Sequence, residues 1–461
     1  MITKPLNELT IAEAATLIKN KLISPVELTK SYLNRIEKVE PAVQAFVTVT
    51  AEQALQAARE SEQKLMNGEY LGPLHGIPYG AKDIIHTAGI RTSAGSSTFP
   101  DFVPGTNATV INKLQAAGAI LLGKTTTTEY AFQGGEPPTR NPWNLEHTPG
   151  GSSSGSAAAV AAGMASFTLG TQTFGSLLRP AAYNGLTCMK PTYGRVSRNG
   201  VITASWSLDH IGAFTRSAQD NAIVLEAMAG QDELDSFTLP YGKPDLTSAL
   251  EHPISGMVIG LPSSFFQTDE PAILLAVESA IAALEKLGMQ WKKVNLPSYM
   301  EETIAAHRTV MRAEAAAFHQ ERFAEASDRY GHTMREQLEL GYQTSAVDYL
   351  QAQRIRTIFR SEMMMLFDEV DVLLTPSTPY VAPYGYKTGS PIFNGPFTNT
   401  GLPSITVPIG FDTTSGKPLP IGMQLAGPLM REDRLLSIAH HYQQATSWHQ
   451  LTPYTHSLGK E

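Results

Sequence analysis

The chain has 461 residues, 42% hydrophobic and 17% charged, which is enough apolar material for a large core and a length compatible with one to three domains. With 35 basic against 43 acidic residues the net charge is −8, and no Lys/Arg block is present to grip a phosphate backbone, so a nucleic acid ligand is not expected. The single cysteine, Cys188, can neither close an internal disulfide nor begin a thiolate metal site, and no apolar run approaches the roughly 20 residues that cross a bilayer; the expectation is a cytoplasmic protein with no membrane contact.

Ser24-Pro25-Val26-Glu27 has the marks of a helix start, with a capping serine, a first-turn proline and a glutamate placed to close a capping box. Leu28, Tyr32 and Ile36 then recur at helical spacing. From Leu71 to Lys82, glycines and prolines punctuate short apolar pairs, which predicts a short strand ending at Lys82. Thr109 to Ala117 predicts a helix stopped by Gly118, and Ala119 to Gly123 a buried strand after it.

Residues 149 to 176 put two serine-bearing turns on either side of one small-residue helix. A Gly-Ser run resembles a linker, but the alanines from Ala157 to Ala162, then Met164 and Phe167, are helix-forming or core residues. Further helices are expected at 218–229, 271–287 and in a long charged stretch from about 302 to 369, with strands at Val370 to Leu374 and Ile405 to Pro408. The stretch 232–256, rich in Pro, Gly and charge, reads as a surface excursion. Alternation of helix and strand without repeats predicts one large α/β/α domain over 1–461.

Three motifs carry chemistry: Gly76-Ile77-Pro78 with Lys82-Asp83, Pro149-Gly150-Gly151-Ser152-Ser153-Ser154-Gly155-Ser156, and Gly170-Thr171-Gln172-Thr173-Phe174-Gly175-Ser176. Lys190 to Ser197, Thr400 to Pro403 and Leu419 to Gln424 extend the pattern in order. Together they resemble the amidase signature family. The resemblance covers most of 70–216, the catalytic core motifs, and 370–450; it leaves 220–369 as a more variable, substrate-shaping helical region.

The resemblance implies a mixed central sheet covered by helices, no metal and no cofactor. It makes Ser176 the nucleophile, Ser152 a bridging serine on a cis peptide, and Lys82 the base. The backbone N–H groups of Thr173, Phe174, Gly175 and Ser176 would form the oxyanion hole, and Gly150, Gly151, Phe174 and Phe397 would line the substrate. The residues argue the same way, because a serine hydroxyl needs a base within hydrogen-bond reach. An unshifted lysine costs about 4 to 5 kcal/mol to deprotonate at pH 7, and burial lowers a lysine by up to roughly 3 to 5 units. Ile77, Tyr79, Ala81, Ile84 and Ile85 supply apolar neighbours for that burial.

Where the commoner motif has Asp four residues before the nucleophile and Arg two after it, this chain has Gln172 and Leu178, with Arg179 one place later. Losing both charges together avoids an unpaired buried ion. Phe174 stands where glycine is common. Ser153, Ser154 and Ser156 read as structural, Cys188 as a small buried residue, and His307, His319 and His332 as solvated or capping. The resulting expectation is a stand-alone hydrolase that cleaves amide C–N bonds of a small-molecule substrate through an acyl-enzyme, with a homodimer left open. Two alternatives stay beside it. One is a carbamate or urea-like substrate on the same triad. The other is a protein like the amide-cleaving component of a glutamine-dependent tRNA amidotransferase, which feeds ammonia to partner subunits.

Overall fold

The computed structural model describes residues 4–132, 136–414 and 416–453. Among these, eleven strands form one sheet: β1 (Phe46–Val49), β2 (Pro78–Lys82), β3 (Ile120–Thr125), β4 (Phe167–Gln172), β5 (Thr187–Lys190), β6 (His210–Thr215), β7 (Val258–Pro262), β8 (Gln290–Val294), β9 (Val372–Pro376), β10 (Ser404–Asp412) and β11 (Leu419–Ala426). Across the sheet they run β1-β3-β2-β4-β6-β5-β10-β11-β9-β7-β8. β2 is parallel to β3 and β4, and β7 is parallel to β8 and β9; the other neighbours are antiparallel, so the sheet is mixed, and helices cover it.

The local rules read from the sequence explain many of the boundaries. Ser24 caps the helix Pro25–Val43, accepting from the Glu27 N–H at 3.0 Å while the Glu27 carboxylate accepts from the Ser24 N–H at 2.8 Å. Such a cap stabilises by about 1 kcal/mol. Helices Thr109–Ala116, Ala218–Met228 and Pro271–Lys286 fall where apolar periodicity places them. The charged stretch expected as helix from 302 divides into Met300–Ala326, His332–Tyr342 and Ala346–Met365, the last started by a Ser345–Asp348 capping box. β10 continues beyond Pro408, where the expected strand stops; its register with β11 shifts between Pro408 and Gly410, a bulge that accommodates the missing proline N–H.

The site is positioned by the middle of the sheet. β2 and β4 are adjacent and parallel, with Tyr79 opposite Phe167 and Ala81 opposite Leu169, so Lys82 and Gln172 emerge at the same edge. The helix Ser154–Ala161 leads into β4, which returns its N-terminal end, and Ser152 just before it, to that edge. Every residue of this helix is buried. Gly155 is required there: a Cβ would lie 2.1 Å from the Ala45 carbonyl oxygen and 2.4 Å from the Thr126 nitrogen. Below the edge Tyr79 stacks on Phe167 with ring centroids 5.1 Å apart, both fully buried.

Candidate active site

Lys82 ends β2 with no solvent exposure, and its Nζ lies 2.7 Å from Ser152 Oγ and 2.8 Å from Thr171 Oγ1. Burial is the largest influence on the amine and holds its pKa well below the ordinary lysine value; Asp209 opposes this and Arg179 reinforces it. Asp83, its sequence neighbour, is turned to Lys124 at 3.3 Å and to the Ser93 hydroxyl at 2.6 Å. The Lys82 amine is therefore left with hydroxyl neighbours, the surroundings in which a lysine can stand neutral.

Ser152 follows Gly151 through a cis peptide bond. Its neighbours are engaged by the backbone: Ser154 Oγ donates to the Gly150 carbonyl at 2.7 Å, Ser156 Oγ to that of Leu169 at 2.9 Å, and Ser153 Oγ to that of Thr171 at 3.2 Å. Only the Ser152 hydroxyl of this run meets Lys82. Gly151 is closed over by Thr388, whose Cγ2 would lie 2.5 Å from a Cβ there, and Gly150 takes a positive φ of 80°.

Ser176 lies in the turn between β4 and the helix Leu178–Asn184 and is 8% exposed. Gln172 holds this turn. Its Oε1 accepts from the N–H groups of Leu177 at 2.8 Å and Leu178 at 3.0 Å, and its Nε2 donates to Thr398 Oγ1 at 2.9 Å. The Thr398 hydroxyl in turn donates to the Phe174 carbonyl at 2.8 Å, and the Thr173 hydroxyl donates to Asp209 Oδ1 at 2.5 Å. Among the described residues, none of the N–H groups of Thr173, Phe174, Gly175 and Ser176 donates a hydrogen bond. Four adjacent unengaged donors beside a serine hydroxyl suit a carbonyl oxygen that gains negative charge.

Phe174 is 4% exposed, and its ring packs 4.4 Å from that of His307. Phe397 is fully buried in a second core cluster, stacked on Phe266 at 5.6 Å. His307 and His319, expected to be solvated or capping, are fully buried instead, whereas His332 is exposed. Burial pushes His307 down to about 3, and neither ring nitrogen has a hydrogen-bond partner; the Thr173 backbone is near enough to favour the protonated ring without reaching bonding geometry. The apolar residues Ile304, Val310 and Met311, three and four positions away, were the legible signal that His307 faces inward.

Three more residues take part that the sequence reading gave no role. Thr171 is the second hydroxyl on Lys82. Asp209, raised to about 6 mainly by burial, anchors Thr173 and accepts from the N–H groups of Ala204 and Ser205. Asn394 spans Ser377 and Gln424 through Nδ2 and leaves Oδ1 against Gly175. Cys188 is buried, as expected, and burial pushes its thiol up.

No helix among the described residues is long and apolar enough to cross a membrane. Comparison with known proteins places the site in a family. The family model described as Amidase matches residues 27–436. The A-type component of the glutamyl-tRNA(Gln) amidotransferase of Methylococcus capsulatus is 40% identical over 482 residues, covering 96% of this chain and 98% of its own. The native peptide amidase of Stenotrophomonas maltophilia aligns with a TM-score of 0.84 at 31% identity, covering 96% of this chain and 98% of that one. The structure of the corresponding amidotransferase component from Thermotoga maritima gives 0.82 at 31%, covering 97% of each. These relatives overturn the expected partner set, a small-molecule amide alone with no nucleic acid and at most a second copy: full-length relatives at 40% identity are named as one subunit of a larger enzyme that acts on a tRNA-linked substrate. Composition missed this because association needs only a surface patch, which leaves no mark on net charge. The chain belongs to the amidase signature family.

Proposed function

We propose that this chain breaks a carboxamide C–N bond by acyl transfer to Ser176, and that it does so as the amide-cleaving subunit of a glutamine-dependent amidotransferase-like assembly, handing ammonia to a partner. The observation that carries the chemistry is the fully buried Lys82 amine 2.7 Å from the Ser152 hydroxyl. The role within an assembly rests on the relatives' shared name and near-complete coverage.

A neutral Lys82 donates to Thr171 and accepts from the Ser152 hydroxyl, which is then free to accept the Ser176 proton. Ser176 Oγ attacks the carbonyl carbon while that proton passes through Ser152 to Lys82. The oxyanion meets the N–H groups of the 173–176 turn, where each lost donor costs about 10²–10³ in rate. Collapse breaks the C–N bond, the relay returns the proton to nitrogen, and ammonia leaves an ester on Ser176. Water then attacks the ester, its proton travels the same route, and the acid departs as Ser176 regains its hydrogen.

Ammonia release from glutamine, with mass spectrometry of Ser176 after a slow ester, tests the chemistry. Ser176→Ala and Lys82→Ala should each abolish release at pH 7, and only the parent should carry the acyl adduct. Release retained by either variant refutes the triad. Affinity purification of the tagged chain from its own cells tests the assembly: a partner should copurify at equal stoichiometry, and a chain that elutes alone ends the reading as part of an assembly.

A further inference from the structure

Asp209, just before β6, joins the two halves of the site. It is buried, its Oδ2 accepts from the N–H groups of Ala204 at 2.9 Å and Ser205 at 3.0 Å, and its Oδ1 accepts from the Thr173 hydroxyl at 2.5 Å. Thr173 is the first residue of the turn whose N–H groups are unengaged. Asp209 also faces the base: with Thr171, whose Oγ1 lies 2.8 Å from the Lys82 amine, it lines one cavity of about 250 Å³. Among the described residues neither Asp209 nor Lys82 forms a direct ion pair, so charge acts across this space. Burial dominates at Lys82, and Asp209 is the group that opposes it by favouring the ammonium form.

The loop that carries Asp209 is braced from outside. Glu314, buried on the helix Met300–Ala326, accepts from the Ser205 hydroxyl, from the Ser207 N–H at 3.1 Å and from the Ser207 hydroxyl at 2.6 Å. Arg356, on the helix Ala346–Met365, donates to the Ser207 carbonyl at 3.1 Å and to that of Asn399 at 3.2 Å, next to the Thr398 that holds the Phe174 carbonyl. A loop held at 204, 205 and 207 by two buried carboxylates shifts only by breaking charge-assisted bonds, so Asp209 grips Thr173 from a fixed point.

We propose that Asp209 is a positioning residue: its bond to Thr173 fixes the turn that receives the oxyanion, and its charge stabilises the ammonium that Lys82 becomes when it takes the Ser176 proton. This rests on the triad reading above. Asp209 itself gains no proton; its anion faces a cation from the attack of Ser176 until the relay returns the proton to the leaving nitrogen. A charge that is met only then lowers the barrier rather than the resting enzyme. Burial pushes Asp209 up to about 6 against its bonds to Thr173, Ser205 and Ala204 and the charge of Arg198, which leaves it ionised above neutrality. The other titratable groups around the pair are Tyr193 beside Asp209 and Arg179 beside Lys82; His210, next in sequence, is held neutral by burial.

The test separates the charge from the bond. Asp209→Asn keeps the shape and a hydrogen bond to Thr173, with donor and acceptor exchanged, but removes the charge; Thr173→Val removes the bond and keeps the charge; Thr173→Ser restores the hydroxyl. Ammonia release from glutamine and the rate at which an alkyl fluorophosphonate labels Ser176 are followed against pH. The titration midpoint of Lys82 is read without turnover, by NMR of protein carrying carbon-13 at lysine Cε, its signal assigned by its loss in Lys82→Met. In Asp209→Asn the rising limb of kcat/KM and the NMR midpoint should both move down by about one pH unit, and the plateau kcat should fall about tenfold because the base is weaker. Thr173→Val should lower kcat about tenfold or more with KM little changed, and leave limb and midpoint in place; Thr173→Ser should return to within about threefold of the parent. An unmoved Lys82 midpoint in Asp209→Asn, or a Thr173→Val protein with the parent's kcat, overturns the proposal, and the threonine pair decides it if Asp209→Asn does not fold. A parent inert to both glutamine and the fluorophosphonate counts against the triad alone, while the Lys82 midpoints still decide whether the Asp209 charge reaches the amine.

Discussion

Replacing Gln172 by glutamate changes one atom and tests how the nucleophile turn is held. Gln172 is fully buried, and its Nε2 faces the Thr398 oxygen, whose single hydrogen is shared between the Phe174 carbonyl at 2.8 Å and the Asn394 carbonyl at 3.1 Å. In Gln172→Glu an ionised oxygen replaces that donor, so a hydroxyl hydrogen turned to it leaves the Phe174 and Asn394 carbonyls without one. The Leu177 and Leu178 N–H groups still favour the charge, but Leu178 supplies no arginine to neutralise it. An uncompensated buried charge costs about 3–5 kcal/mol, and the two donors place this one near 3. That corresponds to a folded-state pKa raised about two units above the ordinary glutamate value of about 4.3. The folded state then binds the proton more tightly than the unfolded chain, so the variant loses stability as pH rises between the two pKa values. Relative to the parent, its deficit in urea unfolding should grow from about 1 kcal/mol at pH 5 to about 3 kcal/mol at pH 7.5. Adding Leu178→Arg should recover part of the loss at pH 7.5. A single variant as stable as the parent at pH 7.5, or a deficit that does not change with pH, would refute the argument that the turn is built for a neutral side chain.

The proposed mechanism makes the neutral amine of Lys82 the active form, and burial lowers its pKa, so kcat/KM should rise with pH and reach its plateau well below the ordinary lysine range; a profile still climbing at about pH 10 contradicts this. Gly175→Ala would set a Cβ 2.6 Å from Asn394 Oδ1 and 2.8 Å from Pro391 Cβ and should displace the turn proposed to hold the oxyanion, lowering kcat by about 10²-fold and costing about 1–3 kcal/mol of stability in urea unfolding. His307, held near 3 in the fold, binds its proton more readily when unfolded, so it removes stability as pH falls from about 6.5 toward 3. His307→Leu should therefore match or exceed the parent at pH 7 in urea unfolding and should resist acid better; equal loss in parent and variant between pH 6.5 and 4 would show that His307 does not carry the effect.

What the sequence could show depended on how local the cause was. The Ser24 cap, the strand ending at Lys82 and the small-residue helix at 154–161 follow from a few adjacent residues. The long helical stretch from 302 was expected without its breaks, because the turn at Gly331 is set by a contact with Glu129, two hundred positions away in the chain. The Lys82, Ser152 and Ser176 motifs were legible as motifs. The roles of Thr171, Asp209, Asn394 and Arg179 were not, because each acts through a partner distant in sequence or through burial. His307 was misread because charged neighbours on the outer face of its helix outweighed the apolar inner face.

The unusual sequence around the nucleophile has an electrostatic reason. A general base made from lysine works only if its surroundings disfavour the charged amine. For Lys82 as the proposed base, burial supplies most of that, and two hydroxyls supply partners that stabilise charge less than a carboxylate would. Asp209, the acid that remains nearest, is itself pushed up to about 6 and is turned to Thr173 and two backbone N–H groups. Arg179, lowered only to about 10, keeps its proton at neutral pH and its field further discourages a second cation at Lys82. In the proposed mechanism the same fixed positive charge, one peptide bond from Ser152, would favour the transition state over the resting enzyme, because negative charge appears only as the carbonyl is attacked. Moving the arginine from the second to the third position after Ser176 thus removes it from an acid's partner site and leaves it as an unneutralised cation facing a cavity and the reacting centre together.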